Sequence, residues 1–173
     1  MKVLILVLSS KTYPSYRNEK IQKKTWAKNN SIDKRILFYR SGDQVSLKKE
    51  QLTVKAGKKT SDIGYKTMEA FDWCFKNIDF DYLLRTNTSS YIDIKNLESH
   101  IELFKNEKYL YNGMQMSLPR NEIRESVKFI SGAGILMNRN TIKLLLDKKS
   151  DFEINEWDDV AIGKLLQENN IKT

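Results

Sequence analysis

Cysteine and histidine are almost absent from this chain of 173 residues, which contains one of each, Cys74 and His100. A single cysteine excludes a disulfide bond within the chain. One cysteine and one histidine also nearly exclude a zinc site built from the usual ligands. With only two prolines and seven glycines, no segment has the composition of a flexible linker. We therefore expect one domain, residues 1–173, which is either complete or part of a longer chain.

No hydrophobic run is long enough to cross a membrane. The N-terminal stretch MKVLILVLSS (1–10) has seven apolar residues, whereas a transmembrane helix needs about 20. It also lacks the small-residue cleavage site of a signal peptide. Because its apolar residues do not alternate with polar ones, residues 2–10 are predicted to form a central, parallel strand buried on both faces. We expect no transmembrane segment and a cytoplasmic location.

Acidic residues are scarce in the first half of the chain. The net charge is +8, and residues 1–86 contain 18 Lys and Arg against 9 Asp and Glu, whereas residues 87–173 contain 12 against 13. Such asymmetry is typical of a protein whose basic part holds an anionic ligand, such as a nucleotide diphosphate or a nucleic acid. Solvated lysine-rich helices would give the same balance.

Apolar periodicity predicts an α/β fold. Strands are predicted at residues 2–10, 34–40, 51–56, 80–87, 108–116 and 128–138, and helices at residues 16–28, 61–77, 93–105, 139–148 and 157–169. Strands that alternate with helices indicate a mixed, mostly parallel sheet flanked by helices.

Several helix positions can be assigned from their side chains. Asp93 is expected to open the third helix, and Ser61 or Asp62 to cap the second. The residues expected to face the core include Ile21, Thr25 and Trp26 of the first helix, together with Trp73 and Trp157.

Polar side chains follow two of the predicted strands. Ser9 and Ser10 end the first strand, and the run RTNTSS (85–90) ends the strand at 80–87. The carboxyl ends of parallel strands meet at one edge of a sheet, where α/β proteins bind their ligands. The run is therefore interpreted as the floor of a site rather than as a simple turn.

Two glycine-containing segments match nucleotide-binding loops only in part. GKKTSD (57–62) lacks the first glycine of a Walker motif, because that position is Leu52. SGAGILMN (131–138) contains Gly132 and Gly134, which permit close backbone approach, but it lacks the context of a dinucleotide fingerprint. This second segment is either a bulged strand or a loop that lines a substrate site.

Paired acids begin the last predicted helix. Asp158 and Asp159 can be simple N-terminal helix acids, which the helix dipole favours. Alternatively, one of them can act as a general base toward a hydroxyl nucleophile.

A set of landmarks occurs in a particular order along nearly the whole chain. They are Arg17, Ile21, Thr25 and Trp26; then Asp62, Tyr65, Lys66, Thr67, Trp73 and Cys74; then Tyr111 to Gly113, SGAGI (131–135), and DDVAIG (158–163). Each is weak alone, but the ordered set resembles the β-1,3-galactosyltransferase and Fringe-like glycosyltransferases. The resemblance implies a GT-A-like, Rossmann-like domain and an inverting hexosyltransferase that moves a sugar from a nucleotide-sugar donor to a carbohydrate hydroxyl.

One motif of that family is replaced. Where the family has its metal-binding acidic triplet, this chain has Asn87, Thr88 and Ser89. Amides and hydroxyls are poor ligands for Mg²⁺ and Mn²⁺, which prefer charged oxygens. We therefore expect no metal site and a donor diphosphate neutralised by Lys and Arg.

The resemblance also implies roles for individual residues. Asp159 matches the general base, and Asp158 is its capping or orienting neighbour. The residues expected to bind the nucleoside-diphosphate sugar are Ser9, Ser10, Arg17, Asp62, Lys66, Arg85, Thr86, Asn87, Ser89, Gly132 and Gly134. Two alternatives stay open: a catalytically inactive nucleotide-sugar or glycan-binding relative, and a basic nucleic-acid-binding α/β domain. The chain has no recognised nucleic-acid-binding module, so nucleic acid is not the expected partner.

Overall fold

A seven-stranded sheet organises the computed structural model, which describes residues 1–29, 31–118 and 126–172. Its strands are β1 (Val3–Leu8), β2 (Lys34–Gly42), β3 (Ser46–Lys48), β4 (Gln51–Lys55), β5 (Tyr82–Asn87), β6 (Tyr111–Leu118) and β7 (Val127–Asn138). They lie in the order β3-β4-β2-β1-β5-β7-β6, so β1 has three strands on each side. The predicted central position of the first strand is confirmed.

Five α-helices are present among the described residues, and the last two follow the final strand. They are α1 (Ser15–Lys24), α2 (Ile63–Asn77), α3 (Ile94–Leu103), α4 (Arg139–Asp147) and α5 (Asp158–Glu168). Each corresponds to a predicted helix, and every predicted strand is present as well. Only β3 has no predicted counterpart, because three residues are too few for an alternating pattern to show.

The sheet is mixed, but it is less parallel than predicted. β1 pairs in parallel with β2 and with β5, and β2 pairs in parallel with β4. β3 runs antiparallel to β4, and β7 runs antiparallel to both β5 and β6. Half of the strand pairings among the described residues are therefore antiparallel, and the prediction of a mostly parallel sheet is wrong. The α/β class, the flanking helices and the single domain are confirmed.

Two apolar clusters cover the two faces of β1. One contains Phe71 of α2 and Leu165 of α5, and the other contains Trp26 and Ile101 of α3. Successive side chains of a strand point to opposite faces, so β1 contributes to both clusters. Leu4 and Leu6 belong to the first cluster, and Val3, Ile5 and Val7 belong to the second.

The first helix is shorter than predicted. α1 ends at Lys24 because Thr25 leaves helical geometry (φ −114°, ψ −114°), and a short 3-10 turn follows at Trp26–Lys28. This break turns Trp26 into the core as expected, whereas Ile21 and Thr25 are exposed. The prediction that Ile21 and Thr25 face inward is wrong, because α1 buries Glu19 and Gln22 instead and ends before Thr25.

The three tryptophans differ in burial. Trp26 is buried and Trp73 packs partly buried against the larger cluster. Trp157, which directly precedes α5, is 65% exposed, so the prediction that it is a core aromatic is wrong. Its position outside the periodic part of the helix explains the difference.

One of the two predicted helix caps is confirmed. The Asp93 carboxylate accepts hydrogen bonds from the backbone N–H groups of Lys95 (3.1 Å) and Asn96 (3.2 Å) at the start of α3. Asp62 precedes α2, but its carboxylate accepts from the Lys59 N–H at 2.8 Å and closes the 3-10 turn Thr60–Asp62 instead. Neither Ser61 nor Asp62 therefore caps α2 with its side chain.

The architecture brings several chain segments to one edge of the sheet. β1 and β5 are parallel neighbours in register, with Leu8 opposite Asn87, so the residues after both strands emerge together. In the described part of the chain, no helix has the length and apolar character needed to cross a bilayer.

Candidate functional site

A cavity of about 340 Å³ lies at the carboxyl ends of β1 and β5, next to the start of α2. Lys58, Lys59 and Lys66 line it, and we call it the lysine cavity. No acidic residue lines it in the part of the chain that the structure describes. Its wall also carries six hydroxyl side chains, those of Ser9, Ser10, Thr12, Ser15, Thr60 and Thr88.

Lys66 is the most unusual residue of this cavity. It lies in the first turns of α2 and is only 6% exposed, yet its ammonium group makes no hydrogen bond or ion pair with any described residue. Burial lowers the pKa of Lys66, and the charges of Asp62 and Asp158 oppose this shift without touching the ammonium. A buried charge that lacks a partner is costly, so an anion that entered the cavity would be favoured.

The other two lysines are placed differently. Lys58 and Lys59 are exposed and lie on the connection from β4 to α2, at the rim of the cavity. The segment GKKTSD is not a Walker loop, but its lysines still reach the carboxyl edge because the chain must pass there between β4 and α2. Strand topology was the signal that could have identified them from the sequence.

The first serines of the site are already organised by hydrogen bonds. The Ser9 hydroxyl is buried and donates to Glu19 Oε2 at 2.6 Å. The Ser10 backbone N–H donates to Ser15 Oγ at 2.8 Å, and the Ser10 and Thr12 hydroxyls are 2.8 Å apart. Ser9 thus anchors α1 to the edge, whereas Ser10 presents a small network to the cavity.

Arg85 is buried rather than open to a ligand. Its Nη2 lies 2.6 Å from Asp158 Oδ2, and its Nη1 donates to the Gly132 carbonyl at 2.6 Å and to Asn87 Oδ1 at 2.9 Å. Burial disfavours the charged guanidinium, but Asp158, Tyr39 and Asp159 together outweigh this effect and leave the pKa of Arg85 above its ordinary value. The expectation that Arg85 lies along an open donor surface does not fit this geometry, because its charge is already neutralised inside the protein.

Asp158 serves as the partner of that arginine. Its carboxylate is buried and also accepts a hydrogen bond from the Thr67 hydroxyl at 2.7 Å, which in turn lies 2.9 Å from the Tyr39 hydroxyl. The network joins α5, α2, β5 and β2. Asp158 therefore fixes the start of α5 against the sheet, and the start of α5 has no side-chain cap.

Asp159 is half-buried and is held by the backbone. Its Oδ2 accepts from the Gly132 N–H at 2.9 Å, and its Oδ1 accepts from the Val160 N–H at 2.9 Å. Gly132 thus links the Arg85–Asp158 pair to Asp159, because its carbonyl accepts from Arg85 while its N–H donates to Asp159. A Cβ atom at Gly132 would lie 2.5 Å from Arg85 Nη1 and 3.2 Å from Asp159 Oδ2, so only glycine fits.

Several predicted site residues have structural partners instead of an open position. The buried Thr86 hydroxyl donates to the Ala133 carbonyl at 2.7 Å and ties β5 to β7. Gly134 presents its carbonyl to Gly113 of β6, which has a positive φ of 150° and no room for a Cβ atom. Gly113 thus allows the close approach of the two strands, whereas a Cβ atom at Gly134 would meet only Leu84 Cδ1, at 3.9 Å. Gly134 was expected to allow approach to a sugar, and its structural part here is the carbonyl that faces Gly113.

The remaining predicted residues are dispersed. Asn87 lines the lysine cavity, whereas Ser89 lines a smaller pocket beside α1. Arg17 is exposed on α1 and does not line the lysine cavity. The Asp62 carboxylate accepts a hydrogen bond from the Lys59 N–H within its own turn. The structure assembles the lysine cavity at this edge; Asp158 and Asp159 do not line it, and Thr67, which follows Lys66 in α2, donates its hydroxyl hydrogen bond to Asp158 at 2.7 Å.

Metal ligands are not grouped in the described ranges. No cluster of three or more His, Cys, Asp or Glu side chains there could hold a metal ion.

Comparison with known proteins adds no family assignment. A scan against protein-family models gave no match, and a search of curated proteins gave none either. The resemblance to Fringe-like glycosyltransferases stays a prediction from the sequence motifs.

The buried ion pair leads to a test of stability. Asp158→Asn leaves Arg85 charged, buried and without a counter-ion, so the free energy of unfolding should fall by about 3–5 kcal/mol. Urea denaturation measures this change. The matched control is Asp72→Asn, which removes the acid of an exposed i,i+4 pair with Lys76 (2.7 Å) and should cost about 0.5 kcal/mol or less. Equal effects of the two substitutions would contradict the central place given to the Arg85–Asp158 pair.

Proposed function

We propose that the protein is an inverting glycosyltransferase that binds a nucleoside-diphosphate sugar in the lysine cavity and transfers the sugar to a carbohydrate hydroxyl. The observation that carries this proposal is Lys66, a side chain only 6% exposed that lines a hydroxyl-rich cavity and whose ammonium group has no hydrogen bond or ion pair among the described residues. The family resemblance of the motifs is a second, independent support.

The cavity suits a diphosphate. Lys66 would supply a charge-assisted hydrogen bond from the interior, and Lys58 and Lys59 would add positive charge at the rim. The N-terminal end of α2 also faces the cavity through Ile63, and the helix dipole favours an anion at that end. Together these groups would neutralise the leaving diphosphate, which a bound metal ion does in many transferases.

Asp158 and Asp159 have different roles in the proposed reaction. Asp158 is neutralised by Arg85, which leaves Asp159 as the acid that is partly accessible. In the proposed reaction the acceptor oxygen attacks the anomeric carbon, the bond from that carbon to the diphosphate oxygen breaks, and Asp159 takes the acceptor hydroxyl proton. The nucleoside diphosphate leaves with the bonding electron pair, stabilised by the lysines.

A second function has one specific observation in its favour. Both carboxylate oxygens of Asp159 accept backbone hydrogen bonds, which is also what a purely structural acid at a helix start would do. A nucleotide-sugar-binding protein without turnover would therefore share the lysine cavity and differ only in the role of Asp159.

Substitution of Lys66 tests donor binding. Lys66→Met keeps the length and the apolar stem but removes the charge, so affinity for the cognate diphosphate should fall by about 10- to 150-fold, the loss of about 1.5–3 kcal/mol for a hydrogen bond to a charged group. Calorimetric titration with UDP, GDP, ADP and CDP at fixed salt, with and without EDTA, identifies the cognate base and the metal dependence.

Lys76→Met provides the matched control, because Lys76 is exposed on the same helix and pairs with Asp72. It should leave the affinity unchanged. The free protein should be at least as stable with Lys66→Met as without it, because a buried charge is removed. Unchanged affinity in the Lys66 variant would overturn the proposed diphosphate site.

Substitution of Asp159 tests catalysis. Asp159→Asn keeps size and polarity but removes the proton acceptor, so transfer should fall by ~10²–10⁴ while donor affinity changes little. Single-turnover transfer from the cognate nucleotide sugar to a glycan acceptor measures the rate. Asp147→Asn on the exposed surface of α4 is the control. Near-full turnover of the Asp159 variant would remove Asp159 from the reaction, and donor binding without any transfer by the native protein would favour the non-catalytic alternative.

A further inference from the structure

A second pocket of about 220 Å³ lies on the other side of the residues that follow β5, against α1 and its 3-10 turn. Its lining includes Gln22, Trp26, Thr88, Ser89, Ser90 and Tyr91, and we call it the Trp26 pocket. Unlike the lysine cavity, it has no charged side chain among its described lining residues.

Two polar atoms of this pocket lack partners. Gln22 and Trp26 are each 4% exposed, and neither Gln22 Oε1 nor Trp26 Nε1 has a hydrogen-bond partner within the described ranges. The orientation of the Gln22 amide is fixed, because its Nε2 donates to the carbonyls of Asn87 (3.1 Å) and Ser90 (2.7 Å). One buried donor and one buried acceptor are therefore left on two residues that line the same pocket, and buried polar groups in proteins are rarely left unpaired.

We propose that the Trp26 pocket binds one uncharged sugar ring. A sugar hydroxyl group can both accept a hydrogen bond and donate one, and the atoms that lack partners are one donor, the Trp26 indole N–H, and one acceptor, Gln22 Oε1. The hydroxyls of Ser89 and Ser90 offer further donors and acceptors. Tyr91 is 75% exposed and offers an aromatic face to the C–H groups of the ring.

Size and charge narrow the ligand class. Pockets for drug-sized molecules measure about 300–1,000 Å³, and this pocket is smaller, as a single ring requires. The absence of charge from its described lining disfavours phosphates and carboxylates, which the lysine cavity would attract instead.

Thr88 lines both pockets and hydrogen-bonds to Ser15 Oγ at 3.2 Å, so it forms part of the wall between them. The Trp26 pocket is thus separate from the lysine cavity, and the proposal for it does not depend on the proposed transferase activity.

The three tryptophans allow a direct test. Proton–nitrogen correlation spectra of the full chain contain separate indole N–H signals for Trp26, Trp73 and Trp157, and Trp26→Phe assigns the first by its loss. The methyl β-glycosides of galactose, glucose and N-acetylglucosamine serve as probes, with glycerol as a control for non-specific hydroxyl binding. We expect at least one glycoside to shift the Trp26 signal saturably, while the Trp73 signal stays in place.

Variants then locate the binding. Ser89→Ala should weaken the cognate glycoside by about fivefold, as expected for one lost hydrogen bond, whereas Ser117→Ala on the exposed strand β6 should have no effect. Addition of UDP should leave glycoside affinity unchanged. A Trp26 signal that none of the three glycosides moves, or that glycerol moves equally, would overturn the proposal and indicate that the two atoms are satisfied by trapped water only. A shift confined to the exposed Trp157 would overturn it as well.

Discussion

The rest of the candidate site depends on the buried ion pair between Arg85 and Asp158. Arg85 belongs to a central strand, and Asp158 begins the last helix, so their contact at 2.6 Å fixes that helix against the sheet. The same arginine holds the carbonyl of Gly132, whose N–H holds Asp159. Removal of either charge would leave the other buried and unpaired, which would strongly destabilise the fold. The position of Asp159 therefore depends on the Arg85–Asp158 contact, whose loss would greatly lower the stability of the protein.

The contrast between Arg85 and Lys66 gives the site its chemistry. Both cations are buried near the same edge of the sheet, but Arg85 is neutralised by the protein whereas Lys66 has no partner among the described residues. Some of the basic residues in the first half of the chain are paired with acids at the surface. Lys23 and Lys76, for example, pair with acids on their own helices. An anionic ligand is therefore indicated by the burial of one lysine rather than by the net charge of +8.

Local pattern predicted the elements well, and tertiary contacts limited the prediction of the site. The unbroken apolar run of β1 and the cap at Asp93 are local features, and both are confirmed. The break at Thr25 and the antiparallel direction of β7 depend on packing, which periodicity does not report. The carboxyl-edge rule located Ser10 and Asn87 at the cavity. It could not predict that Arg85 forms an ion pair with Asp158, since these residues are distant in sequence and meet only in the folded chain.

A crystal structure with the cognate nucleoside diphosphate bound tests the account most directly. We predict that phosphate oxygens lie about 2.7–2.9 Å from Lys66 Nζ, within the lysine cavity, and that the Arg85–Asp158 pair is unchanged. We also predict that the terminal phosphate, where the sugar would be attached, faces Asp159. A diphosphate bound elsewhere on the protein, or one that leaves Lys66 without a partner, would contradict the account.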